Sequence, residues 1–160
     1  MAIPFFKQIT KDTCGPAALQ MALAAHGMRV SQRLLTKQAK TPTHQNFGTT
    51  TKNMMLVLKQ YKILATAKNR NGLKDIIKAL GERKIIIVCY SERETNAGHY
   101  ALLTKVGKKF VTLLDPAYKN GTVPRLSIEE FILRWKDRRY TKTLRWAAFV
   151  QSPDRGKSVR

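Results

Sequence analysis

The sequence is poor in acidic residues and in cysteine, and it has no long apolar run. Only ten Asp and Glu stand against thirty Lys and Arg, a formal charge of +20 over 160 residues. A field of that sign attracts acidic peptides, nucleic acid or anionic lipid, and it carries no information about fold. No uninterrupted apolar stretch approaches the ~20 residues needed to span a bilayer, so no membrane span is expected. The first residues, Met1-Ala-Ile-Pro-Phe-Phe-Lys, lack a basic segment followed by an apolar one and do not read as a secretory signal. Two cysteines, Cys14 and Cys89, make no disulfide framework. Both are expected to be reduced thiols in a cytoplasmic setting. The Cys and His residues show no metal-ligand spacing, and no glycine pattern suits a phosphate. No cofactor is expected.

What is present suffices for one core. The apolar fraction is 43%, and the expected organisation is a single domain over residues 1–151 with a flexible basic tail at 152–160. Residues 14–26 are rich in Ala, Leu and Met and read as a buried helix, with Asp12 or Thr13 as N-cap and Gly27 as C-cap. Further helices are expected over 31–39, 51–61, 73–80 and 127–136, the second capped by Ser31 and the last carrying Glu129 and Glu130 in its first turn. The stretch 40–50, with Pro42, Asn46 and Gly48, reads as a loop. Strands are expected at 63–67, 84–90, 99–106, 110–114 and 143–150, the third and fourth joined by a hairpin at Gly107-Lys108-Lys109. Helices come first and strands later. This predicts an α+β fold with N-terminal helices packed on an antiparallel sheet.

Cys14 would open the first helix, where exposed N–H groups and the helix dipole favour a thiolate over a thiol. Gly15 would let a substrate approach the backbone, and Pro16 suits a first turn because its missing N–H costs nothing there. Such a nucleophile needs a base, and the base needs an orienting acceptor. His99, after Gly98 at the start of a strand, is the candidate base. Asp115, before Pro116 at the end of the next strand, is the candidate orienter: counting back from the hairpin turn brings it close to His99. The backbone N–H of Cys14 and the side-chain amide of Gln8, six residues upstream, are candidate donors to an oxyanion. Taken singly, each of these residues has an ordinary structural reading. Cys89 reads as core, His26 as a helix-end cation, His44 as a loop residue, and Trp135 and Trp146 as core or cleft wall.

Gln8, five residues, then Cys14-Gly15-Pro16-Ala17, with Gly98-His99-Tyr100-Ala101 and Asp115-Pro116 further on, resemble the C39 and C39-like peptidases. The likeness continues through Gly121 and the segment with Phe131 and Trp135. It implies a papain-like fold and a cysteine peptidase in which Cys14 attacks a peptide bond, His99 is the base, Asp115 orients it and Gln8 lines the oxyanion hole. Exporter-linked members cut leader peptides after a double glycine and usually carry an acidic residue before the cysteine. Thr13 stands there in this chain, and no transporter follows, so the resemblance is closer to the stand-alone C39-like group. The expected partner is a peptide or protein substrate, of leader type or acidic. The alternatives are a non-catalytic module that binds peptide or nucleic acid, and an acyl transferase using the same thiol.

Overall fold

A computed structural model describes residues 2–42 and 48–153. His44 and Asn46 of the expected loop, and residues 154–160 of the expected tail, lie outside the described residues.

The first helix, α1 (Cys14–Ala25), is buried over most of its circumference, from Cys14 through Leu19 and again at Met21, Ala22 and Leu23. Small and apolar side chains on all faces allow that, since a helix buried on every side needs no polar stripe. It ends one residue earlier than expected: His26 is the C-cap, and Gly27 takes a φ of +76°. The Met28 N–H then reaches back to Leu23 O at 3.0 Å, closing the helix end. Helices α2 (Gln32–Gln38) and α3 (Thr51–Gln60) follow, capped by the hydroxyls of Ser31 and Thr50.

Strand β1 (Ala65–Lys68) starts two residues later than expected, because Lys62 adopts a φ of 58° and Ile63 N–H still bonds Leu58 O. Helix α4 (Leu73–Gly81) leads into β2 (Ile85–Ser91), β3 (Gly98–Val106) and β4 (Phe110–Leu114). A short β5 (Leu126–Ser127) runs into α5 (Ile128–Arg134), where the Ser127 hydroxyl accepts from Glu130 N–H. The chain finishes with β6 (Lys136–Asp137), β7 (Thr143–Leu144) and β8 (Ala147–Val150). Helix α5 stops short of the expected Lys136. Trp135 leaves helical geometry to bury its ring against Phe131, centroids 5.0 Å apart, while its indole N–H donates to Trp146 O.

Six strands form one antiparallel sheet in the order β1-β8-β2-β3-β4-β5. The expected strand 143–150 is in fact two. Arg145, at a φ of 49°, breaks it; β7 pairs with β6 in a separate ribbon, and only β8 joins the sheet. Strand β2 is central and buried from Ile85 to Tyr90. Its alternate side chains enter two cores. Ile85, Ile87 and Cys89 meet residues of α1, α2 and α3, whereas Ile86, Val88 and Tyr90 meet those of α4 and α5. The N-terminal helices therefore pack on an antiparallel sheet as expected, and α4 and α5 cover its opposite face. A continuous β-branched run follows from burial on both sides, each full burial being worth roughly 1.5–3 kcal/mol. Among the described residues, no helix is long and apolar enough to cross a membrane.

Candidate active site

Cys14 occupies the first turn of α1, and the cap position before it is Thr13. Thr13 does not cap. Its hydroxyl turns back to Thr10, donating to Thr10 O at 3.1 Å and accepting from Thr10 N–H at 3.0 Å. The Thr13 N–H goes to Thr10 O, Pro16 has none, and the Ala17 N–H makes the first helical bond, to Thr13 O. That leaves the N–H groups of Cys14 and Gly15 outside the helical ladder, beside the thiol.

Gly15 meets a constraint from within the chain itself. A Cβ there would stand 2.5 Å from Thr49 Oγ1 and 3.1 Å from Met54 Sδ. Glycine is needed there to admit the chain's own Thr49. Thr49 is fixed from two sides, its hydroxyl bonded to Thr41 at 2.7 Å and its carbonyl accepting from Tyr100 O–H at 2.7 Å.

His99 lies at the start of β3, paired across the sheet with Tyr90 of β2. On the other side, Leu103 faces Leu113 and Leu102 faces Leu114, so the next position along β4 is Asp115 opposite Ala101. His99 is thus its diagonal neighbour on the same face, within reach of a side chain. His99 Nε2 lies 2.5 Å from Asp115 Oδ1, with both residues buried. The Ala117 N–H also donates to Oδ1, at 2.8 Å, and the Tyr90 hydroxyl donates to Oδ2. Asp115 is wholly inaccessible, and these three donors replace its lost hydration.

Cys14 lies near enough to His99 to bear electrostatically on its imidazole. Burial on its own would lower the imidazole pKa. The proximity of Cys14 and the bond to Asp115 outweigh it and raise the value to about 10. The arrangement is a charged imidazole held between a cysteine and a buried carboxylate. Tyr90 is pushed far above the usual phenol range by burial and then by the Asp115 charge, so it remains a donor. Cys89 is different: burial raises its thiol to about 12 against hydrogen bonds from Thr141 and Thr143, and it stays protonated in the core.

Gln8 sits on the segment that enters α1. Its backbone N–H donates to Pro116 O at 2.9 Å, tying it to the turn after Asp115. Gln32 braces the same segment through Ile9 N–H and Lys7 O. The Gln8 side-chain oxygen is buried without a hydrogen-bond partner. The fold therefore brings Cys14, His99 and Asp115 together and anchors Gln8 beside Pro116. Tyr90 was missed by sequence reasoning; the available signal was a tyrosine ending a buried strand, whose hydroxyl must find a partner. Asp137 was missed too. It is buried against Gly98, where a Cβ would lie 2.3 Å from the Asp137 carboxyl carbon.

The family model for the peptidase C39 family matches residues 2–140. Comparison with curated protein sequences gives no match. Among solved structures, the peptidase domain of Streptococcus ComA, a bi-functional ABC transporter involved in a quorum sensing pathway, is similar at a TM-score of 0.70 and 20% identity, covering 95% of this chain and 99% of that one. A C39-like peptidase from Bacillus anthracis superposes at 0.72 with 16% identity, covering 94% and 96%. A double glycine motif protease from an AMS/PCAT transporter, solved with a leader peptide, superposes at 0.67 with 20% identity, covering 94% and 92%.

Proposed function

The chain belongs to the peptidase C39 family, and we propose that it is a cysteine peptidase with Cys14 as nucleophile, His99 as base, Asp115 as orienter and Gln8 in the oxyanion hole. The observation that carries this reading is the buried bond between His99 and Asp115 at 2.5 Å, with Cys14 opening α1 near enough to bear on the imidazole.

That geometry supports the following steps. The proton of the Cys14 thiol resides on His99, whose Nε2–H is held by Asp115, and the thiolate attacks the carbonyl carbon of a peptide bond. The carbonyl oxygen becomes an oxyanion beside the helix N-terminus, where the Cys14 N–H donates and the Gln8 amide supplies the second donor. His99 then gives its proton to the departing amine as the C–N bond breaks. A water, deprotonated by His99, attacks the resulting thioester; Cys14 leaves as thiolate and the acid product is freed. An amine in place of that water would make the same site an acyl transferase.

A neighbour of the same fold was solved with a leader peptide, which supports a peptide substrate for this chain, and the +20 charge favours one bearing carboxylates. The same charge favours a second reading, a module that binds nucleic acid without cleaving anything; binding to random RNA that falls steeply with salt would support it.

The peptidase reading is tested by brief exposure to iodoacetamide at neutral pH, followed by digestion and mass mapping. Alkylation of Cys14 with Cys89 untouched, slowed in His99→Ala, is expected. Labelling of Cys89 but never Cys14 would overturn it.

A further inference from the structure

We propose that the loop 138–142, between β6 and β7, is the specificity surface of this site and takes acidic side chains of the peptide substrate. The inference rests on the peptidase reading and names what that peptidase selects.

The ribbon pairs Lys136 with Leu144 and Asp137 with Thr143, leaving Arg138, Arg139, Tyr140, Thr141 and Lys142 as its loop. Arg138, Arg139 and Lys142 are exposed. None of the three forms a salt bridge among the described residues. Of the flanking cations, Arg134 is already paired with Glu130.

From 131 to 153 the sequence has one carboxylate, Asp137, and it is buried and engaged inward. It accepts from the N–H groups of Arg139, Tyr140 and Thr141 and from the Thr141 hydroxyl, at 3.0, 3.4, 2.8 and 2.7 Å. Burial opposes its charge, but those donors outweigh it and lower its pKa. Asp137 thus sets the shape of the loop from beneath while three uncompensated cations remain on top.

The position of the loop ties it to the reacting pair. On one side Asp137 lies against Gly98, the residue before His99, and Ser91 Oγ holds Lys136 O at 2.5 Å. On the other, Thr141 Oγ1 is 3.6 Å from Cys89 Sγ, and the cross-strand partner of Cys89 is Tyr100. Asp137 and Tyr140 both bear electrostatically on the Tyr100 hydroxyl. That hydroxyl bonds Thr49, which packs on Gly15 next to Cys14. The base of the loop therefore packs against Gly98 and Cys89, on the two strands that carry His99 and its partner Tyr90.

Crowded like charges on a fixed backbone are an anion site in waiting. Guanidinium groups grip carboxylates through paired N–H bonds, and a preorganised loop loses little entropy in doing so. Three cations on five residues match two or three carboxylates of an extended peptide. A nucleic acid backbone requires a longer track of phosphate contacts.

The test uses the full chain and two triple variants of equal charge change: R138Q/R139Q/K142Q in the loop, and K74Q/K78Q/R83Q on and just after α4, where the side chains are also exposed. The probes are a fluorescein-labelled hexaglutamate peptide and its hexaglutamine counterpart. Binding is read by anisotropy, and occupancy of the site by the rate at which iodoacetamide alkylates Cys14. Hexaglutamate should bind and slow alkylation of Cys14, and hexaglutamine should do neither. The loop variant should bind about tenfold or more weakly and lose the protection. The α4 variant should stay within about twofold of wild type.

Equal losses in both variants would mean diffuse charge and overturn the inference. So would binding that leaves Cys14 unprotected, or tighter loop-dependent binding of an oligothymidylate. Reactive Cys14 with no protection overturns the loop alone; unreactive Cys14 overturns the peptidase reading and this use of the loop with it.

Discussion

The Tyr90 hydroxyl donates to the Asp115 carboxylate oxygen that His99 does not use. Tyr90 is also the cross-strand partner of His99, and the two rings meet edge to face at 5.9 Å. One buried side chain therefore touches both the imidazole and the carboxylate bonded to it. Because its hydroxyl stays protonated, it donates to Oδ2 while Oδ1 takes His99 Nε2 and the Ala117 N–H.

Tyr90→Phe keeps the ring and removes that donor. Leaving a buried carboxylate oxygen bare should cost about 1.5–3 kcal/mol, seen as a lower urea midpoint. If Tyr90 positions Asp115, kcat falls while KM changes little, because the lost contact acts on the chemical step. A purely structural tyrosine would lower the midpoint and leave kcat alone.

The imidazolium state of His99 can be read directly by NMR of isotope-labelled histidine. Wild type should titrate near pH 10. In Cys14→Ala the neighbour that favours the charged imidazole is gone while burial remains, so the value should fall by about 1–3 units. The sign extends to stability. A raised folded-state pKa contributes stability fully present below the ordinary histidine value of 6.5 and lost as pH rises through about 10. That alkaline loss should shrink in Cys14→Ala. A wild-type histidine titrating at or below 6.5 would contradict the ion pair.

Glycine substitutions separate packing from backbone freedom. Gly98→Ala places a methyl 2.3 Å from the Asp137 carboxyl carbon, and that carboxylate is held by loop N–H groups and cannot withdraw. A loss of about 1–3 kcal/mol is expected. Gly81→Ala, with nothing within 4 Å at the end of α4, should instead gain roughly 0.5–1 kcal/mol. Chemical denaturation of both variants checks the contrast.

The relation between His99 and Asp115 was legible in the sequence, though partly because two deviations cancel. Counting from the hairpin pairs Val106 with Phe110. The sheet pairs Val106 with Val111, and a bulge at Thr104 then restores the count, so that Leu102 faces Leu114. Helix starts were legible where a hydroxyl caps them, as at Ser31 and Ser127. Thr13 has the right residue type but bonds backward to Thr10, which no local pattern announces.

Other features depend on tertiary neighbours. The clash that requires Gly15 comes from Thr49, and the burial of Asp137 depends on Gly98, far away in sequence. The break at Arg145 lies inside a stretch of strand-like composition. Periodicity does not register such long-range constraints.

The most direct measurement of the central claim is a peptide library incubated with wild type and with Cys14→Ala, both read by mass spectrometry. New peptide termini with wild type and none with Cys14→Ala are expected. Full turnover by Cys14→Ala would contradict the assignment of Cys14 as the nucleophile.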